Sequence, residues 1–452
     1  MSPDEHLVIV GGGFSGTLLA INLLRHDGPR ATLVERRRAQ LGRGVAYSAA
    51  HPSHLLNVRA AGMSAFPDEA GHFAHWVAAN GGGAPQDFVP RALYGAYLRD
   101  TLADVRRGRE HRLALVAGEV VDIVPGEPQQ VMLADGMTLA ADGVVLATGN
   151  LPPHAPPGID PDLLPPDRYV ADPWRADLAS GLGEGDTVVL LGTGLTAIDA
   201  ALQLDAGGFA GRVLALSRRG LNPRRHQDGS APAKGLGNPP EEPLSHLVRD
   251  LRCTAGEIGW RAAVDAYRPV TQRLWAASDA ATRARFLRHL RPFWDVHRHR
   301  LAPAVADRID ALVAAEWLRF AAGKVERCEE GAEALHLHWR PRRANTAVVT
   351  PAARVVNCTG PQGDLTRTGE PLLRTLLDRG AIRPDPLRLG LEVDARSRVI
   401  GRDGAADEHM HCIGPMTRGG LWEVVAVPDL RRQAWDLARR LANAQWVGGE
   451  GL

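Results

Sequence analysis

LVIVGGGFSGTLLAINLLRHDGPRATLVERR, residues 7–37, is the stretch from which the rest of the chain is read. Residues 7–10 are a short apolar run of the kind that forms a strand buried on both faces. Gly11, Gly13 and Gly16 then fall at G-x-G-x-x-G spacing and, with Phe14 and Ser15 between them, open an amphipathic helix that runs to Leu24. A second strand, residues 31–34, ends on Glu35. A pyrophosphate lying against backbone N–H groups at a helix N-terminus needs residues without a Cβ there, and an acid at the end of the second strand is placed to accept from a ribose hydroxyl. Strand, glycines, helix, strand and acid occur in order, which makes the motif a dinucleotide-binding fold. The turn alone does not distinguish FAD from NAD(P).

The pattern occurs twice. DTVVLLGTGLTAIDAALQLDAGGFAGRVLALSRR, residues 186–219, repeats strand, turn, helix and strand, with Gly192 and Gly194 before Leu195 and Thr196, and Ala197 in the third glycine position. That position mainly sets close helix–strand packing, so alanine is tolerated. The second strand of this copy ends in Ser217, Arg218 and Arg219, with no acid. Arginines there favour the 2′-phosphate of NADPH over NADH, or else form a solvated basic turn.

Two further strands run into Gly turns, GVVLATGN at 143–150, which contains Gly149, and RVVNCTGP at 354–361. They bracket the second copy as exits from one domain and returns to it. The reading is α/β, with two Rossmann-like domains: a discontinuous FAD domain (1–152 and 358–452) and an inserted NADPH domain (153–220 and 321–357). A helical insertion, 221–320, is a candidate substrate lid. Near its start is a polar, Pro-rich loop at 222–243 that reads as mobile. Within FLRHLRPFWDVHRHRL, residues 286–301, helical spacing puts Leu290, Phe293, Trp294, His297 and Leu301 on one face, and Arg291, Asp295 and Arg298 on another. These residues are either a substrate wall with Arg291 or Arg298 as polar anchor, or a structural subdomain whose Trp and His are core.

Composition excludes several classes. The 452 residues include 53 Lys and Arg against 52 Asp and Glu, a net charge of +1, which gives no case for nucleic acid or an acidic membrane surface. No apolar run is long enough to span a bilayer, and the N-terminus lacks a leader pattern, so a cytoplasmic location is expected. Cys253, Cys328, Cys358 and Cys412 form no C-x-x-C pair, so neither a disulfide framework, a redox pair nor a metal site is expected.

Several stretches resemble the bacterial FAD/NAD(P)-binding flavoprotein family that includes urate hydroxylase and amino-acid N-monooxygenases. They are GRGVAYSAAHPSHLLNVRAAGMSAFPDEAGHFAHWV at 42–77, LLGTGLTAID, SRRG, HLRPFWDVHRHRLAP and the terminal GPMTRGGLWEVVAVPDLRRQA. The resemblance implies that Gly11, Gly13, Gly16 and Glu35 hold the ADP half of FAD, with Leu56, Asn57, Met63 and Ser64 near the flavin ring. It also places Gly414, Pro415, Gly419 and Gly420 by the ring or the ribityl chain. The implied activity is NADPH-dependent hydroxylation of a small polar, nitrogen-containing substrate, a urate-like heterocycle, an amino acid or an amine, by O2 through a C4a-(hydro)peroxyflavin. The alternatives are an NADPH-dependent flavin reductase or oxidase, and a non-catalytic redox sensor. No catalytic side chain is identified, because the flavin carries the chemistry. Oligomeric state and substrate identity stay open.

Overall fold

In a computed structural model, which describes residues 1–48, 51, 53–227, 235–236 and 243–443, the strands gather into two large sheets and one small one. Most of the Pro-rich loop expected to be mobile, 228–234 and 237–242, lies outside the described residues.

The first large sheet is built around His6–Val10. Arg30–Glu35 lies parallel on one side and Gly143–Leu146 parallel on the other. Leu113–Ala117 continues the sheet beyond Arg30–Glu35, while Ala406–Cys412 and then Arg398–Ile400 continue it beyond Gly143–Leu146. This order puts the first glycine turn where the strand order reverses, the crevice in which open α/β sheets bind ligands. The central strands are apolar on both faces because helices Phe14–Arg25, Arg91–Arg106 and Val427–Leu441 cover one of them. The other face is covered by helix Pro371–Arg379 and a small antiparallel sheet, Val120–Val124, Gln129–Leu133 and Thr138–Ala141.

The second large sheet repeats the plan around Thr187–Leu191, with Arg212–Ser217 on one side and Arg354–Asn357 on the other, both parallel. Leu318–Glu330 extends it, and Leu335–Pro341 and Val348–Ala352 add antiparallel strands at that edge. Tyr169–Val170 closes the opposite edge.

Between Arg212–Ser217 and Leu318–Glu330 the chain forms helices Leu244–Ile258, Trp260–Tyr267, Thr271–Ala277, Ala280–His289, Arg291–Arg298 and Pro303–Ala314. The last of these packs Ala306, Ile309 and Leu312 into the core of the second sheet. The stretch from 290 to 301 is not one helix. Pro292 lacks an N–H and fits only a first helical turn, so a new helix starts at Arg291 and ends at Arg298. Leu301 instead exchanges backbone hydrogen bonds with Arg224 and His226. In this short helix Val296 is buried, whereas Phe293, expected on the apolar face, is 43% exposed. No helix among the described residues is long and apolar enough to cross a membrane.

Candidate functional site

The three glycines of the first turn do different work. A Cβ on Gly11, at φ +106°, would lie 2.4 Å from the Ala147 carbonyl oxygen, and one on Gly16 would lie 2.0 Å from the Gly11 oxygen. Both therefore allow chain to pack on chain. Gly13 has an ordinary φ of −72° and its nearest neighbour would be the Gly44 Cα at 3.5 Å, so no protein contact requires a glycine there. No side chain caps helix Phe14–Arg25, which leaves the first-turn N–H groups at Phe14, Ser15 and Gly16 without a side-chain acceptor. Among the described residues, the Thr148 hydroxyl beside this turn is buried with no partner, and nothing lies within 4 Å of a Cβ on Gly149. Together these features form a cradle with unfilled donors, which suits a pyrophosphate.

Glu35 is buried at the end of its strand and accepts from Gly12 N and from Arg37 N, each at 2.9 Å. These bonds fix the carboxylate beneath the turn and leave lone pairs for a ribose hydroxyl. Gly414, at φ +94°, approaches the same helix start, because its Cβ would lie 2.8 Å from Ser15 Oγ. Its N–H donates to Gln433 Oε1 at 2.8 Å, which ties the C-terminal helix to the site.

The residues expected near a flavin ring are more scattered. Leu56 and Met63 are buried in the core of the first sheet. Ser64 is fully buried, its hydroxyl donating to the Glu69 carbonyl at 2.6 Å and accepting from Phe66 N at 3.1 Å. The Asn57 carbonyl accepts from His226 Nε2 at 3.0 Å. Gly419 lies against the Asp385 carboxylate, and its carbonyl accepts from Trp275 Nε1 at 2.7 Å, while Gly420 is exposed.

The second turn copies the first. Gly192, at φ +123°, packs on the Cys358 carbonyl as Gly11 packs on that of Ala147, and Ala197 is buried. Gly194 has nothing within 4 Å of its Cβ position, and helix Leu195–Ala206, with Thr196 in its first turn, also has no side-chain cap. Ser217 occupies the strand-end position that Glu35 holds in the first sheet. Its hydroxyl bonds Thr193 Oγ1 at 2.9 Å and accepts from Gly220 N at 3.0 Å. Arg218 is exposed and, among the described residues, has no acidic partner, whereas Arg219 lies over the Phe293 ring, 5.0 Å from its centroid. Cys358, buried beside this turn, has its thiol pushed up by desolvation and packs as an apolar group.

Two contacts that sequence reasoning missed join the sheets. Asp199, on helix Leu195–Ala206, pairs with Arg91 at 2.9 Å, both side chains being largely buried. The Asp199 carbonyl also bonds His54 Nε2 at 3.0 Å. His54 is thus held to the second glycine-turn helix. No motif spacing relates Arg91 to Asp199, so only the fold brings them together.

The sequence reading put a substrate anchor on Arg291 or Arg298, and the structure pairs each guanidinium with a carboxylate. Arg291 Nε is 3.2 Å from Asp295, on a half-exposed face. Arg298 Nε is 3.2 Å from Glu423, and Trp294 Nε1 donates to the same carboxylate. His297 bonds the Phe293 carbonyl at 2.7 Å and meets the Trp260 ring edge-on. Glu423 was not singled out from the sequence. It is buried at φ +65° and follows Trp422, which stacks on Trp275 at 4.6 Å and meets Phe286 edge-on. Nearby, Arg418 donates from Nε to the Leu389 carbonyl at 2.9 Å, and burial together with the Arg291 charge pushes its pKa down to about 10.

Residues 8–151 match the family model described as FAD-NAD(P)-binding. No curated protein matches the chain by sequence. Among solved structures, L-lysine 6-monooxygenase from Pseudomonas syringae is similar with a TM-score of 0.67 at 17% identity, covering 97% of this chain and 99% of that one. Ornithine N-hydroxylase from Kutzneria sp. 744 gives 0.66 at 16% identity, covering 98% and 99%. Thioredoxin reductase from T. acidophilum gives 0.53 at 13%, covering 98% and 99%. At such identities the likeness is one of fold, and it extends over nearly the whole chain.

Proposed function

We propose that this chain, which carries an FAD-NAD(P)-binding match over residues 8–151, is an NADPH-dependent FAD monooxygenase acting on a small amine, amino acid or nitrogen heterocycle. The observation that carries the reading is the pair of uncapped helix starts, each with a glycine, Gly13 or Gly194, that no protein contact requires. A dinucleotide phosphate against each would supply the missing acceptor. FAD would be held by the turn at Gly11, Gly13 and Gly16, by Glu35 and by the Thr148–Gly149 and Gly414 backbone. NADPH would be held by Gly192, Gly194 and the first turn of helix Leu195–Ala206, with Arg218 on the 2′-phosphate.

Bound FAD supplies hydride acceptance from NADPH and the activation of O2. The protein orients the two cofactors and keeps water from the reacting centre. The Arg91–Asp199 pair and the His54 hydrogen bond fix one nucleotide fold against the other. The Trp275–Trp422 stack and the Glu423 contacts close the helical region onto the C-terminal segment beside Gly414. The fold likeness to a lysine and an ornithine hydroxylase supports a nitrogen-containing substrate class.

The test is to follow NADPH oxidation, O2 uptake and peroxide release by the flavin-loaded protein with lysine, ornithine, simple amines and urate. Stimulated oxidation with little peroxide and a hydroxylated product supports the reading. Peroxide released in step with NADPH for every compound would make the protein an oxidase instead.

A further inference from the structure

A cavity of about 540 Å³ opens between the loop after Arg30–Glu35 and helix Arg91–Arg106. Four arginines line it, Arg38 and Arg43 from the loop and Arg99 and Arg106 from the helix, around an apolar wall that includes Leu41 and Leu115. The chain as a whole is balanced at +1, so this is a local concentration of positive charge. Among the described residues, no carboxylate lies within 4.0 Å of the Arg38, Arg43 or Arg99 guanidinium. Arg43 Nε is buried with no hydrogen-bond partner among the described residues, and burial together with the charge of Arg99 lowers the pKa of its guanidinium. Only Arg106 is tied down, donating from Nε to the Leu113 carbonyl at 2.9 Å.

Like charges collected around an apolar wall repel one another, and a buried unpaired N–H costs free energy, unless an anion offsets both. Arginine forks match phosphate oxygens bidentately, and an apolar wall suits the face of a base. The volume falls within the roughly 300–1,000 Å³ of small-molecule sites. We propose that this cavity binds a nucleoside phosphate, with the phosphate on Arg38, Arg43 and Arg99 and the base against Leu41 and Leu115, as a ligand additional to the two dinucleotides. The proposal rests on the FAD reading, because it takes the first glycine turn as already filled. The loop that carries Leu41 and Arg43 packs on that turn, with Gly42 N donating to the Gly12 carbonyl at 2.9 Å, so the two ligands would be neighbours.

The experiment titrates the flavin-loaded protein with ADP carrying a methylanthraniloyl fluorophore, in saturating NADP⁺ so that the second glycine turn is occupied. Saturable binding is expected, with flavin absorbance unchanged. Arg38→Ala and Arg99→Ala, both at exposed positions, should each weaken it by about tenfold or more while retaining full flavin. The proposal is overturned if the flavin-loaded protein shows no saturable binding, if both variants bind like the parent, or if labelled ADP expels flavin in proportion, which would make the cavity the adenosine end of the FAD site. A protein that purifies without flavin and takes none up sinks the FAD reading separately, and the arginine variants then decide the cavity on their own.

Discussion

Gly13 and Gly16 lie three residues apart and lack side chains for opposite reasons. A methyl group on Gly16 would meet the Gly11 carbonyl oxygen at 2.0 Å, a collision of a fixed Cβ with backbone that no rotamer relieves. Gly16→Ala should therefore cost about 3 kcal/mol or more of folding stability. A methyl on Gly13 meets only Gly44 at ordinary contact distance. Gly13→Ala should leave the melting temperature of the flavin-free protein nearly unchanged while weakening FAD retention by about tenfold or more, since a Cβ there displaces the pyrophosphate. Calorimetry and flavin absorbance on the two variants separate these outcomes. Arg218 and Arg219 differ in a similar way, because Arg218 is exposed and unpaired among the described residues while Arg219 lies over Phe293. Arg218→Ala should raise the KM for NADPH by roughly tenfold, from loss of a charge-assisted bond of about 1.5 kcal/mol, with the KM for NADH unchanged. An equal effect on both nucleotides would remove it from the phosphate site.

At the scale of the element, helix Arg291–Arg298 is held by its contact with Glu423 more than by its own sequence. Only Val296 is buried on it. The Arg291–Asp295 pair is 40% and 37% exposed and is worth at most a few tenths of a kcal/mol. The Arg298–Glu423 pair is 12% and 7% exposed, and breaking one partner of such a pair costs about 3 kcal/mol because the other charge stays buried. Glu423→Gln keeps the side-chain shape and removes the charge, so it should loosen the helix from the C-terminal segment. The expected signs are faster proteolysis within 244–298, a red shift of tryptophan emission as the Trp294 and Trp422 surroundings admit water, and more peroxide per NADPH. Unchanged proteolysis and coupling would show that the helix docks without this pair.

Across the whole molecule, burial holds several histidines in the neutral form. Desolvation lowers the pKa of His54 and His226 where the chain passes between the sheets, of His299 beside the Glu423 cluster, and of His411, which falls to about 4. The unfolded chain protonates each near pH 6.5, so between that value and the folded pKa it binds more protons than the native state. Stability is therefore fully present above pH 6.5 and is lost as pH falls toward 4, with His411 alone contributing up to about 3 kcal/mol. Denaturant midpoints measured from pH 7 to 4 should decline over this window, and His411→Asn should flatten the decline. A midpoint independent of pH would mean that these rings are solvated.

Local pattern was enough to read the two glycine turns, their strands and helices, and Glu35 against Ser217 at the matching strand ends. Each depends on residues within about 30 positions, where strand spacing, missing Cβ atoms and helix periodicity act directly. The Ala147–Gly149 and Cys358–Gly360 exits were visible as Gly turns, but their packing on Gly11 and Gly192 was not, because a β-sheet brings distant strands side by side without a mark in either. The same holds for Arg91 with Asp199, for Glu423 with Trp294 and Arg298, and for the Arg38–Arg99 cavity. Periodicity also misplaced Phe293 and passed over Val296, since a helix of eight residues takes its buried face from the neighbour it meets. The sequence determined which segments could hold a dinucleotide phosphate. Which charges are paired, and which remain free for a ligand, was decided only when the two sheets and the helices between them packed.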